Sequence, residues 1–215
     1  APEGAVPALA VDRARAAAIV EGATGRWLDP AEVDAVLTAY GIATPRAARA
    51  TTAIAAAAAA DAIGYPLALK LDSPTITHKS DVGGVVLNLA DADQVVAAYT
   101  AIEDRLAAIG RRADMRGVLL QQQVPPGVEI FVGATRDPEF GHLLAFGIGG
   151  VHVELWKDVV FRVAPIRDVD ATAMIDGIRA RALLDGFRGG PVVDRGALAD
   201  VLLRISQLVC DLPAI

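Results

Sequence analysis

The stretch that decides the fold is LALKLDSPTITHKSDVGGVVLNL, Leu67 to Leu89. Two apolar runs, Leu67 to Lys70 and Val85 to Leu89, read as strands, and between them lies a polar loop closed by a glycine pair. Lys70 ends the first run, where a lysine either extends its ammonium to solvent or meets an anion. Ser73, Thr75, Thr77 and Ser80 add hydroxyls, and Lys79 adds charge. Gly83 and Gly84 let backbone amides approach a ligand without interference from a Cβ. A loop of this composition can fold over phosphates. The spacing is not that of a phosphate-binding loop of the GxxxxGK[ST] type, because here the glycines follow the lysine.

Working outward, helical periodicity surrounds these strands. Val11 to Glu21 reads as an alanine-rich helix, and LDPAEVDAVLTAYGI starts another with Asp29 as N-cap and Pro30 in its first turn. Val33, Val36, Leu37 and Tyr40 share one face of it, and Gly41 ends it. The alanine-rich stretch Ala47 to Ala62 is expected to be one helix, because alanine has the highest intrinsic helix propensity, with Thr51 or Thr52 as a cap and Gly64 closing it. DADQVVAAYTAIEDRLAAIG predicts a further helix beginning at Asp91 or Asp93 and ending before Gly110. Helices and strands alternating in this way make an α/β pattern.

After Arg116 the texture turns to strands, with turns at Pro125-Pro126-Gly127 and around Asp137-Pro138. VHVELW and DVVFRVAPI continue as strands, and DVDATAMIDGI and GALADVLLRISQLVCDL predict helices. Gln121-Gln122-Gln123 followed by Val-Pro-Pro predicts a hinge. The reading is therefore a linker and helix over residues 1–26, a first lobe over 27–115 and a second over 116–215.

Composition narrows the function. The 215 residues are 53% apolar, enough for a substantial core, and the net charge of −6 argues against a nucleic-acid surface. A single cysteine, Cys210, excludes an internal disulfide framework and a cysteine zinc cluster. That fits a reducing, cytoplasmic setting. No run of about 18 apolar residues predicts a membrane span. The opening APEGAVPALAV reads as a linker rather than a signal peptide, so the chain is expected to be part of something longer.

Among reactive side chains, His78 stands in the loop between Lys79 and the first strand, while His142 and His152 lie in strand-like text. No HxxxH or cysteine pair supports zinc. A neutral imidazole is a competent nucleophile toward phosphorus, with Lys79 to attract the phosphoryl group and Asp81 to orient the ring; an ordinary loop histidine is the alternative. Glu129 and Glu154 interrupt apolar text and fit either Mg2+ or ribose binding or simple ion pairs. GIGG, Gly147 to Gly150, lacks the spacing of a dinucleotide fingerprint.

Taken together, GYPLALKLDSPTITHKSDVGGVVLNL, the long segment from GVLLQQQVPPGVEIF to DVVFRVAPI, and LLDGFRGGPVVD resemble the ATP-grasp domain of the nucleoside-diphosphate-forming acyl-CoA synthetases, in particular the beta part of ADP-forming acetyl-CoA synthetase. The same module occurs in larger bacterial protein lysine acetyltransferases. The resemblance implies an α+β ATP-grasp fold of two lobes with a nucleotide cleft between them. It implies that Lys70 contacts phosphate, with Lys79, Ser80, Gly83 and Gly84 in the same loop. Backbone groups of Gln121, Gln122, Gln123 and Val124 would read the adenine edge, and Glu129, Gly149 and Gly150 would face the cleft.

His78 falls at the position of the second phosphohistidine, which takes a phosphoryl group relayed from a histidine of a CoA-binding, CoA-ligase part and passes it to ADP. The implied cofactors are ATP/ADP and Mg2+, with Glu154 as a metal ligand and the remaining ligands in a segment beyond residue 215. The implied reaction is acyl-CoA + ADP + phosphate ⇌ acid + CoA + ATP. A regulatory or degenerate ATP-grasp module fused to an acetyltransferase domain, binding nucleotide without turnover, is the alternative. An acyl-phosphate ligase is disfavoured, because such enzymes need no histidine carrier.

Overall fold

The structure is a computed structural model that describes residues 3–23, 25–150 and 158–215. Its elements in chain order are α1 (Arg13–Gly22), α2 (Pro30–Ala39), β1 (Ala47–Ala50), α3 (Ala53–Ile63), β2 (Leu67–Asp72), β3 (Val85–Leu89), α4 (Ala92–Ala108), β4 (Gly117–Gln122), β5 (Ile130–Asp137), β6 (Gly141–Ile148), β7 (Val159–Val163), α5 (Asp168–Gly177) and α6 (Arg195–Asp211). They form two compact units. One is the continuous segment Pro45–Pro125; the other joins Ala1–Thr44 to Pro126–Ile215.

In the 45–125 unit, β1, β4, β2 and β3 form an antiparallel sheet in that order. Successive side chains of a strand point to opposite faces. Leu67, Leu69 and Leu71 of β2 therefore share a face with Val118 and Leu120 of β4, and all five are buried among Ala56, Ala60 and Ile63 of α3 and Val95, Ile102 and Leu106 of α4. Each fully buried leucine contributes roughly 2 kcal/mol relative to exposure. The other face of the sheet carries no helix from this core and holds Ala68, Lys70 and Asp72.

Two readings of the sequence are corrected in this unit. Ala47–Ala50 is a strand, not the first turn of a helix. Pro45 precedes it, and its four residues pair in register with Val118 to Gln121, so ladder hydrogen bonds override alanine's helical preference. The helix starts only at Ala53, where the Thr52 side chain caps the Ala55 amide at 3.2 Å. The boundary drawn between residues 115 and 116 also falls inside this unit, because β4 lies between β1 and β2 in the sheet.

In the other unit β5, β6 and β7 form an antiparallel sheet in chain order. Leu144 and Phe146 of β6 are buried against Ile166, Met174 and Ile175 of α5 and its approach and Leu202 of α6. A second cluster joins the N-terminal helices to the end of α6, with Ala16, Val36, Ala39 and Tyr40 against Leu208 and Leu212. Tyr40 Oη donates to Asp211 Oδ2 at 3.0 Å. The start of α2 has the expected chemistry, with Asp29 accepting from Ala31 and Glu32 amides and Glu32 closing the capping box.

Candidate functional site

Lys70 occupies the helix-free face because of strand alternation alone. On that face it lies opposite Leu119 of β4 and Val85 of β3, and Ala68 lies opposite Gln121. Its ammonium leans one residue pair along to donate to Gln121 Oε1 at 2.6 Å, half-buried rather than extended into solvent. A lysine carries three donors, and a neutral amide oxygen does not neutralise its charge. The result is a net positive point on a sheet face.

The loop that follows is built by local hydrogen bonds. Ser73 Oγ accepts from the amides of Thr75 at 3.3 Å and Ile76 at 3.1 Å, which turns the chain and seats the Ile76 side chain in the core. His78 immediately precedes a 3₁₀ turn, Lys79–Val82, with its ring exposed and without a hydrogen bond among the described residues. Lys79 is half-buried and Ser80 exposed. The loop presents the imidazole at its outer edge, two strand residues and a turn away from Lys70.

Gly83 and Gly84 act differently from the expectation. Gly83 donates its amide to Ser80 O at 3.0 Å, and Gly84 donates to Lys79 O at 2.8 Å, so both N–H groups close the turn rather than face a ligand. Gly83 sits at φ 62°, ψ 28°, left-handed backbone that favours glycine, and its carbonyl accepts from Arg105 Nη1 at 2.9 Å. A Cβ on Gly84 would meet both Leu71 Cβ and Lys79 O at 2.9 Å. The pair shapes the loop and pins its base against β2.

The glutamines divide. Gln121 faces Lys70, whereas Gln122 and Gln123 are used within the unit: Gln122 accepts from Arg46 Nε at 3.3 Å, and Gln123 exchanges two hydrogen bonds with Asn88, of 2.8 and 2.7 Å. Their amides donate to Arg46 O and Pro66 O. Val124, 61% exposed, is the first residue of this run whose backbone makes no hydrogen bond among the described residues.

In the other unit Glu129, Gly149 and Gly150 come together. Gly149 donates to Glu129 O at 2.7 Å, and Gly150, at φ +81°, lies so close to Glu129 that a Cβ would stand 2.8 Å from Oε2. Glu154 lies outside the described residues. Asp158 is buried and accepts from the Arg179 and Ala180 amides at 2.7 and 2.8 Å, which makes it the anchor of the 3₁₀ turn Arg179–Leu184 rather than a ligand. Among the described residues no three His, Cys, Asp or Glu side chains group as a metal site.

One pair escaped the sequence reading. Arg49 Nε lies 3.4 Å from Asp72 Oδ2 on the same face as Lys70. The signal was the alternation of β1, hidden once Ala47 to Ala50 was read as helix.

Residues 19–215 match the family model of the ATP-grasp domain. The chain belongs to the ATP-grasp family. Within it, the chain is 42% identical over 181 residues to the beta subunit of acetate–CoA ligase [ADP-forming] II of Pyrococcus furiosus, covering 84% of this chain and 77% of that one. It is 41% identical over 209 residues to acetate–CoA ligase [ADP-forming] I of Archaeoglobus fulgidus, covering 96% of this chain and 30% of that longer protein. A solved acetyl-coenzyme A synthetase 1 of Ca. Korarchaeum cryptofilum superimposes on this ATP-grasp chain with a TM-score of 0.76 at 39% identity, covering 90% of this chain and 84% of that one. That structure holds coenzyme A and Mg-AMPPCP, with its phosphohistidine segment pointing towards the nucleotide binding site. No helix among the described residues of this ATP-grasp chain is long and apolar enough to cross a membrane.

Proposed function

We propose that the chain is the nucleotide-binding, phosphoryl-transferring ATP-grasp part of a cytoplasmic ADP-forming acyl-CoA synthetase, working with a CoA-ligase part that carries the first phosphohistidine. The observation that carries this is the exposed His78 ring on a glycine-closed loop rooted in the strand that places Lys70 on the open sheet face. The relatives are ligases, which favours the synthetase over a regulatory module of an acetyltransferase.

In this reading Lys70 holds a nucleotide phosphate, and Lys79 and Ser80 accompany the phosphoryl group on the His78 loop. An oxygen of the ADP β-phosphate attacks phosphorus as the P–N bond to the ring breaks, and the departing ring nitrogen takes a proton to return to neutral imidazole. Gly83 and Gly84 keep the loop's shape while its histidine exchanges partners. Val124 contributes a backbone group to the base, and Glu129 with Gly149 and Gly150 contributes to nucleotide binding. Mg2+ supplies charge neutralisation when bound. Glu129 is a candidate carboxylate for it, and no three His, Cys, Asp or Glu side chains group as a complete shell among the described residues, so no step is assigned through the ion.

The test is acid-labile labelling of the full-length protein, together with its CoA-ligase part, by γ-labelled ATP. His78→Ala should abolish label on this chain and ATP formation from acyl-CoA, ADP and phosphate, with the melting temperature unchanged. Label retained by the variant removes His78 from the relay.

A further inference from the structure

We infer that Asn88 and the Gln123 side chain are positioning residues for base recognition: their paired amides clip the exit of β4 to the edge strand β3 and fix the direction in which the Val124 backbone meets the base. The inference rests on the reading of Val124 as a base contact.

Three observations carry it. The first is the clip itself. Gln123 Oε1 accepts from the Asn88 backbone amide at 2.8 Å, and Gln123 Nε2 donates to Asn88 Oδ1 at 2.7 Å. Both ends of one side-chain amide are tied to one residue, which fixes its plane as a single bond would not. Strand alternation puts Gln121 and Gln123 on the same face, and Gln121 accepts from Lys70. One run of chain thus holds both the lysine that meets phosphate and the residue that leads to the base.

The second is a bulge. Leu67 lies opposite Leu89 and Leu69 opposite Val86, so Ala68 faces two residues of β3, Leu87 and Asn88. A β-bulge on an edge strand re-aims the residues at it. Asn88 sits at φ 60°, left-handed backbone that asparagine tolerates better than other residues with a Cβ. The strand gives up regular pairing at the one residue that holds Gln123.

The third is where the ladder stops. The β2–β4 pairing ends with Leu67 opposite Gln122, and one more bond, from the Gln123 amide to Pro66 O at 3.1 Å, follows it. Pro125 and Pro126 carry no N–H and cannot extend the ladder as donors. Val124 therefore takes its direction from the residue before it. Asn88 is exposed, so water competes for both bonds of the clip and their contribution to stability is small. What they restrict is orientation, on which a base contact depends.

The experiment is calorimetric titration of the full-length protein with ATP, GTP and inorganic tripolyphosphate. Guanine offers an acceptor where adenine offers its amino donor, and tripolyphosphate has no base. Gln123→Ala removes both bonds. It should weaken ATP about fivefold, the scale of one neutral hydrogen bond, narrow the preference for ATP over GTP, and leave tripolyphosphate unchanged. Asn88→Gly accepts the left-handed backbone and keeps the amide donor but loses Oδ1, so it should cost less, and nothing further on the Gln123→Ala background. Asn88→Asp keeps an acceptor in place and should retain ATP affinity. Thermal melts accompany every variant.

A purely structural clip predicts otherwise: Gln123→Ala lowers the melting temperature and leaves ATP affinity alone, or weakens ATP and tripolyphosphate equally, and either outcome overturns the inference. So does a loss in Asn88→Gly that adds in full to that of Gln123→Ala. Lys70→Ala is the reference and should weaken all three ligands. If the unaltered protein binds ATP and GTP alike, the base contact at Val124 is refuted and the inference with it, whereas a preference for ATP that survives in Gln123→Ala refutes the clip alone.

Discussion

Lys70 is held by two things of different kinds, strand alternation and one amide. Neither requires its charge for folding. Lys70→Met should therefore keep the melting temperature within a degree or two while weakening ATP binding at least tenfold, since a charged contact to phosphate is worth roughly 1.5–3 kcal/mol. Calorimetry beside a thermal melt checks it. The glycines of the loop have the opposite profile. Gly84→Ala places a Cβ against Leu71 Cβ and Lys79 O, and overpacking of that kind costs roughly 1–3 kcal/mol. It should lower both the urea midpoint and the rate of His78 phosphorylation; an undiminished rate would show that the turn tolerates the shift. The placing of this loop between two strands was legible in the sequence because the motif is continuous, whereas the turn-closing use of the two glycine amides was not. The side-chain roles of Gln122 and Gln123 were not, because their partners Arg46 and Asn88 lie 76 and 35 positions away.

At the scale of elements, the sequence shows where composition misleads. Ala47 to Ala50 and Ala53 to Ile63 have nearly the same residues, and only pairing with β4 makes the first a strand. Propensity differences of less than about 1 kcal/mol per residue cannot survive that. The capped helices were legible, because Asp29, Thr52 and Asp91 accept from amides of their own first turns. The pairing depends on Gly117, which sits at φ +149°, where a Cβ would stand 2.2 Å from Ala50 O. Gly117→Ala should destabilise the 45–125 unit by roughly 3 kcal/mol or more, read as a fall in its urea midpoint. It should also loosen the β1 edge that carries Arg49.

Tyr40 ties α2 to α6 and makes a prediction about pH. Burial, and then the hydrogen bond to Asp211, raise its pKa well above the ordinary tyrosine value. The folded state thus keeps a proton that the unfolded chain gives up near pH 10. The stability from this contact is complete below about pH 10 and is lost as pH rises from there toward the folded value. Tyr65 and Tyr99 are raised as well, burial leading in each, so the alkaline slope is shared. Tyr40→Phe should make the fall in urea midpoint between pH 9 and 11 shallower without abolishing it. An unchanged slope would place the titration elsewhere.

At the scale of the molecule, the chain order and the spatial grouping differ, and this follows from which faces are apolar. Among the described residues, the core of the 45–125 unit draws every buried member from Ala50 to Leu120. The other unit is discontinuous: Leu208 of α6 and Leu212 just past its end are buried with Ala16, Val36 and Tyr40, which come from the start of the chain. A lobe boundary drawn from texture alone could not find this, because the helical residues before Thr44 resemble the helical first lobe in composition while their apolar face fits α6. Residues 45–125 expressed alone should therefore unfold in one cooperative transition, with helix and sheet content by circular dichroism matching that unit. Removing residues 3–44 from the whole chain should leave that transition in place and lower the melting temperature of the remaining unit by more than about 5 °C, since several buried apolar side chains lose their partners. If the truncated protein melts as the intact one does, α6 finds its cover elsewhere and the N-terminal helices are appendages rather than part of the core.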